Sequence, residues 1–187
     1  MNELAKRSPS YHLKIIVCGS GAVGKTSIIQ RYVHDRFEHN YLLTVGVEPS
    51  NRLLEINGKS GPKLVNLLIY DVAGQKQFQT FRDIFFRKAH AALLVFDLTR
   101  PETLEDLYDW KEQIDNRLGE DQIPLILCGN KSDLEDSIDI DYGKLEDEII
   151  PDLSPIKYLE TSALADINIR KAFKILTSEI LRRKSIL

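Results

Sequence analysis

The chain has little cysteine: two in 187 residues, Cys18 and Cys128, each at the end of an apolar run. A disulfide framework or a thiolate metal site needs more cysteines, or histidines at ligand spacing. Both are therefore excluded, and the two thiols are expected as buried small hydrophobes. No apolar run approaches the roughly 18 residues of a membrane span. The opening MNELAKRSPS has no signal-peptide core. Positive charge is not in excess either. The formal net charge is −3, whereas a nucleic-acid surface needs a clustered positive field. These absences leave the cytoplasm as the expected compartment, with no nucleic acid among the partners.

What remains is an ordinary globular composition, 43% apolar and 28% charged, of a length that builds one sizeable core. Residues 1–10 are polar, contain Pro9, and are expected as a loose arm, with a single domain over 11–184 and a short end at 185–187. Apolar runs of strand length alternate with segments of helical period. LKIIVC precedes a helix from Lys25 to about Val33. RLLEI and LVNLLIY flank NGKSGP as the arms of a hairpin. AALLVFD, IPLILCG and IKYLE are continuously apolar or nearly so, and strands apolar on both faces belong in a buried parallel sheet. Leu104, Leu107, Ile114 and Leu118 share one helical face, with Pro101 suited to its first turn, and Ile169, Phe173, Leu176 and Ile180 share another. The order is β-α-β-β-α-β-α-β-α-β-α. This predicts a layered α/β domain, a six-stranded and mostly parallel sheet with one antiparallel strand, flanked by about five helices. Ligands of such sheets bind outside the carboxyl ends of the strands.

The motifs sit at those ends. The stretch Gly19, Ser20, Gly21, Ala22, Val23, Gly24, Lys25, Thr26, Ser27 fits GxxxxGK[ST] between a strand and a helix. Glycines let the loop wrap so that consecutive amides point inward. The helix amino terminus adds partial positive charge, and Lys25 adds a full one. A nucleotide β,γ-diphosphate fits this cradle, with the Thr26 hydroxyl as a Mg²⁺ ligand. Asp71, in IYDVAGQ, ends the third apolar run, where a carboxylate holds Mg²⁺ through a water. Gly74 frees the backbone to approach a γ-phosphate, and the Gln75 amide, which both donates and accepts, suits a water.

The base is read elsewhere. In GNKSD the Asp133 carboxylate can accept two hydrogen bonds from the N1 and exocyclic amino donors of guanine, a pair that adenine lacks. Asn130 and Lys131 suit bracing the loop and stacking on the base. In ETSAL the amide of Ala163, between Ser162 and Leu164, can meet the guanine O6.

With these residues in hand, the chain resembles the Ras-superfamily small GTPases and is most similar to the Rab branch. The resemblance runs from about His12 to Leu181 and takes in GSGAVGKTS, TVGV, DVAGQ, NKSD and ETSAL in order. It implies that Thr44 is the switch threonine that reaches Mg²⁺ and the γ-phosphate in the GTP state. It also implies that Tyr41 closes over the phosphates and that Phe37 packs edge-on against guanine. Gly21 matches the glycine whose replacement blocks hydrolysis, and Gln75 the catalytic glutamine. An effector, an exchange factor and a GTPase-activating protein are the partners such a protein has.

Departures accompany the match. GVEPS, with Pro49, stands where Rab proteins have GVDF, and Tyr70, Val72 and Lys76 alter WDTAGQE. RRKSIL carries no cysteine for prenylation, and Asn2 does not fit myristoylation. Any membrane contact is expected to be weak or indirect. Arg182, Arg183 and Lys184 suit a helix-end charge set.

The expectation is a monomeric switch that hydrolyses GTP by in-line attack of water, aided by Lys25, the loop amides and Mg²⁺. No arginine finger is evident, so turnover should be slow without an activating protein. A nucleotide-bound scaffold with weak catalysis is the alternative. An ATPase or nucleotide kinase would leave NKSD and ETSAL without a purpose.

Overall fold

The computed structural model describes residues 8–37, 44, 46–58, 61–75, 84–119 and 122–187. Six strands form one sheet: β1 (Tyr11–Cys18), β2 (Val47–Gly58), β3 (Gly61–Val72), β4 (Ala91–Asp97), β5 (Leu125–Asn130) and β6 (Lys157–Thr161). Their spatial order is β2-β3-β1-β4-β5-β6. Only β2 runs antiparallel, against β3, as expected. The hairpin arms are longer than the apolar runs, because polar residues continue the pairing from Val47↔Val72 to Gly58↔Gly61. Pro49 is tolerated because β2 is the edge strand, where a missing N–H need not break a ladder.

Side chains of the parallel strands alternate between two cores with a period of two. Ile15, Val17, Leu93, Val95, Ile126 and Cys128 face one side. Ile16, Cys18, Leu94, Phe96, Leu125 and Leu127 face the other. The two cysteines are free, buried, and on opposite faces of the sheet.

Over the first face lie α1 (Lys25–His34) and the carboxyl-terminal helix Ile169–Arg183. The periodic residues Ile169, Phe173, Leu176 and Ile180 of the latter are all buried. Phe173 stacks on Tyr32 with ring centroids 3.9 Å apart, and the Arg52 guanidinium of β2 lies over the Tyr32 ring 4.6 Å from its centroid and donates to the Tyr32 carbonyl. At the helix end, hydrogen bonds from Arg182 and then Arg183 hold the Glu179 carboxyl down to about 2, so that two of the three clustered cations are paired.

On the second face, the helix expected to carry Leu104, Leu107, Ile114 and Leu118 is two pieces, α2 (Glu102–Glu105) and α3 (Leu107–Leu118). Leu104, Leu107 and Ile114 are buried and Leu118 packs beside them, so the shared face is real. The break falls at Asp106, where ψ of −15° departs from helical values. Between β5 and β6 come α4 (Tyr142–Lys144), a π-helical turn Leu145–Ile149, and α5 (Ile150–Leu153). The widened turn precedes Pro151, whose ring would clash with the carbonyl four residues back in a regular helix. The carboxyl-terminal helix is accordingly α6. The helix expected between β3 and β4 falls mostly outside the described residues.

Candidate functional site

The chain leaves β1 at Cys18 with β3 on one side and β4 on the other, so consecutive connections diverge there and open a crevice. The loop 19–24 fills it. Gly19 and Gly24 take φ of 142° and 96°, which favour glycine, and added Cβ atoms would lie 2.0 Å from the Val95 carbonyl oxygen and 2.2 Å from Asn130 Nδ2. Ala22 holds a left-handed φ of 61° without being glycine. Lys25, at the start of α1, is buried and donates from Nζ to the carbonyls of Gly19 at 2.8 Å and Ser20 at 2.7 Å. Ser27 follows it on the helix. Gly74 abuts the loop from the far side: a Cβ there would meet Ser20 C at 2.4 Å. The next residue, Gln75, lies beside Gly21, with Gln75 Cγ 4.0 Å from where a Gly21 Cβ would be.

Register brings Asp71 of β3 opposite Val17 of β1, at the mouth of the same loop. Thr26 Oγ1 donates to Asp71 Oδ2. Thr44 Oγ1 lies 3.0 Å from Thr26 Oγ1 and 3.3 Å from Asp71 Oδ2. Burial pushes the Asp71 carboxyl up, and hydrogen bonds from Thr26 and Thr44 and the charge of Lys25 oppose that. Its other oxygen, Oδ1, is buried with no hydrogen-bond partner among the described residues. Three segments far apart in sequence thus bring hydroxyl and carboxylate oxygens to one point, where one buried acceptor has no partner among the described residues.

The second part of the site is built at the ends of β5 and β6. Asn130 is buried, donates to the Val23 carbonyl at 2.9 Å and accepts from Thr161 Oγ1 at 3.2 Å. It ties the phosphate loop to the 130–133 turn. Lys131, with φ of 69°, reaches back from that turn to Asp97 Oδ2 at 2.5 Å. Ser162 Oγ donates to Asp133 Oδ1 and accepts from the Ala165 amide at 2.8 Å, which orients the carboxylate. Ala163 is buried and Leu164 exposed. Phe37 packs against the core beside α1, and Tyr41 lies outside the described residues.

Three neighbours of the site were not singled out from the sequence. Arg31 of α1 donates to the carbonyls of Ala163 at 2.8 Å and Leu164 at 3.0 Å. Asp97 is fully buried at the end of β4. Burial alone would raise its carboxyl, yet hydrogen bonds from Lys131 and Thr99 hold it below the usual range. Arg100 joins Asp97 to the phosphate loop. Asp97 carried a signal, a carboxylate at a strand's carboxyl end like Asp71; the two arginines carried none, because what each reaches in the site is a backbone carbonyl, of Ala163 and Leu164 for Arg31 and of Gly21 for Arg100.

A strand, a glycine loop wrapped onto a helix amino terminus with its lysine, and a carboxylate on the adjacent strand define a P-loop nucleoside-triphosphate-binding protein. The Ras family model matches residues 14–182. Ras-related protein RABA5b of Arabidopsis thaliana is 35% identical over 181 residues, 96% of this chain and 79% of that protein. Ras-related protein Rab-10 of Diplobatis ommata is 33% identical over 183 residues, 98% of this chain and 88% of its own length. Ras-related protein Rab-32B of Dictyostelium discoideum is 39% identical over 171 residues, 90% of this chain but 64% of that protein. The chain belongs to the Ras family, as a Rab-like small GTPase: a GTP-binding switch that hydrolyses GTP to GDP.

Proposed function

We propose that the two-part site works residue by residue as follows. The 19–24 amides and Lys25 hold the β- and γ-phosphates, while Asp133 selects guanine through its N1 and amino donors. The Ala163 amide meets O6, and Asn130 and Lys131 brace and cover the base, with Phe37 at its edge. Thr26 and Thr44 ligate Mg²⁺ directly and Asp71 does so through a water. The convergence of Thr26, Thr44 and Asp71, with Asp71 Oδ1 unpartnered among the described residues, carries this reading, because an all-oxygen set with a spare acceptor suits a hard divalent cation. When bound, Mg²⁺ supplies charge neutralisation for the transferring phosphoryl group.

Gln75 orients the attacking water beside Gly21, and the loop amides stabilise charge that builds on the phosphates. Loss of the γ-phosphate frees Thr44 and the Gly74 amide, and a partner reads that difference. The reading extends to a monomer in the cytoplasm, with residues 11–184 as its working domain. Its regulators are an exchange factor and an activating protein. The unassisted rate would be near ~10⁻⁴ to 10⁻³ s⁻¹.

The test is to denature freshly purified protein, identify the released nucleotide by chromatography, and follow GTP-loaded protein with and without Mg²⁺. The expected result is guanine nucleotide near one per chain, converting slowly and only with Mg²⁺. Release of adenine nucleotide would overturn the role of Asp133. Hydrolysis at full rate in chelator would overturn the metal assignment.

A further inference from the structure

The outer turn of the phosphate loop is gripped from the β4 side by residues that none of the five nucleotide motifs contains. Arg100, just after β4, donates from Nη2 to the Gly21 carbonyl at 2.8 Å and from Nε to Asp97 Oδ2 at 3.0 Å. Asp97 is itself anchored: its backbone N–H donates to Thr103 Oγ1 at 2.9 Å, and its Oδ1 accepts from the Thr99 amide at 3.0 Å and the Thr99 hydroxyl at 2.8 Å. One residue earlier in the loop, Ser20 Oγ donates to Asp106 Oδ2 at 2.5 Å, at the break between α2 and α3. Two successive loop residues are thus pinned to the segment 97–106.

Pinning the Gly21 carbonyl has a stereochemical consequence. The chain has no cis peptide among the described residues, and in a planar trans peptide the N–H points opposite to the C=O. With the Gly21 carbonyl turned toward Arg100, the Ala22 N–H must point away from it, toward the other side of the loop. Ala22 meanwhile sits at φ of 61°, a conformation that costs a non-glycine residue free energy and persists only where its surroundings enforce it.

We propose that Arg100 is a positioning residue for GTP hydrolysis: by holding the Gly21 carbonyl it fixes the Gly21–Ala22 peptide with the Ala22 amide facing the phosphates. The inference rests on the site assignment above. An amide aimed where charge builds in the reaction contributes more to the transition state than to ground-state binding. Gly21 also lies beside Gln75, so the same pin sets the wall against which the water is placed. Arginine suits the task because its rigid fork reaches a carboxylate and a carbonyl at once, which a lysine ammonium does less well.

The experiment uses the full chain as wild type, Arg100→Ala and Arg100→Lys. Each is loaded with GTP in Mg²⁺ for single-turnover phosphate release, and separately with a fluorescent GDP analogue for dissociation. In Arg100→Ala hydrolysis should slow about 10- to 100-fold, the range that small misplacements cause, while analogue release changes far less. Arg100→Lys should recover only part of the loss. Hydrolysis within about twofold of wild type in both variants, or release accelerating in the same proportion as hydrolysis falls, would overturn the proposal. If the alanine variant fails to fold, Arg100→Lys decides by the same ratio. A wild type that neither retains guanine nucleotide nor hydrolyses GTP would instead defeat the site assignment itself.

Discussion

The phosphate loop and the base-reading segments sit at the same edge of one sheet but are held by different means. The loop takes its shape chiefly from within, with outside tethers at Ser20, Gly21 and Val23: Gly19 and Gly24 adopt backbone angles that other residues resist, and backbone or an amide nitrogen of a neighbouring segment approaches where side chains would stand. The base-reading segments are held from outside, by Asn130 on the Val23 carbonyl, Ser162 on Asp133, and Arg31 on the carbonyls of Ala163 and Leu164. A backbone cradle fails by clash. A tethered loop fails by loosening, so graded changes should show in one region and abrupt ones in the other.

The sharpest way to break the comparison is Gly19→Ala. Its Cβ would lie 2.0 Å from the Val95 carbonyl oxygen at a φ of 142°, so a loss of more than ~3 kcal/mol and failure to retain nucleotide are expected, measured by denaturant unfolding and nucleotide content. Gln75→Leu probes the reaction and not the cradle. Hydrolysis should slow by about 10²-fold with nucleotide affinity close to wild type, and equal loss of both in a kinetic and titration series would contradict the role of Gln75. Arg31→Ala loosens the tethered side. Releasing two carbonyls from a charged donor costs about 1.5–3 kcal/mol at most, so GDP should leave about tenfold faster. The loss should be smaller for 6-thioguanine nucleotide, whose sulfur accepts hydrogen bonds weakly at the position the Ala163 amide is assigned.

The smallest effect belongs to the opposite end of the sheet and sharpens the contrast by lying outside both regions. There the Lys14 amide donates to His90 Nδ1 at 2.9 Å. Burial, with the charges of Lys184 and Lys14, holds the His90 imidazole below its ordinary 6.5. The unfolded chain therefore takes up the proton first, and stability present above about pH 6.5 is lost as pH falls through the folded-state value. His90→Asn should flatten the difference in unfolding free energy between pH 7.5 and 5.5, by less than ~1 kcal/mol for this half-exposed group. Nucleotide release should not follow that change.

Much of the fold could be read ahead because burial imposes periodicity. The runs AALLVF and IPLILC are apolar throughout, as strands covered on both faces must be, and Ile169, Phe173, Leu176 and Ile180 return at helical spacing. Polar pairing in the β2–β3 hairpin left no such trace, and the two strands ran further than their apolar parts. The interruption at Asp106 was equally invisible, since one helical face serves both pieces and the residue's distinguishing contact is with Ser20, 86 positions away.

The phosphate loop was legible from its own nine residues, because glycine at a wrapped turn and lysine at a helix start are local requirements of backbone conformation and charge. Asp71 at its strand end and Asp133 in the turn after β5 followed from the same local logic. Thr44 was placed with Thr26 and Asp71 by family resemblance, and what sequence alone could not decide is which other distant groups complete each part: Arg31 crossing to 163–164, Arg100 turning a peptide of the loop. Those contacts depend on the order and register of the strands. A backbone carbonyl is present at every position of the chain and becomes a specific partner only where folding leaves it within reach of one donor.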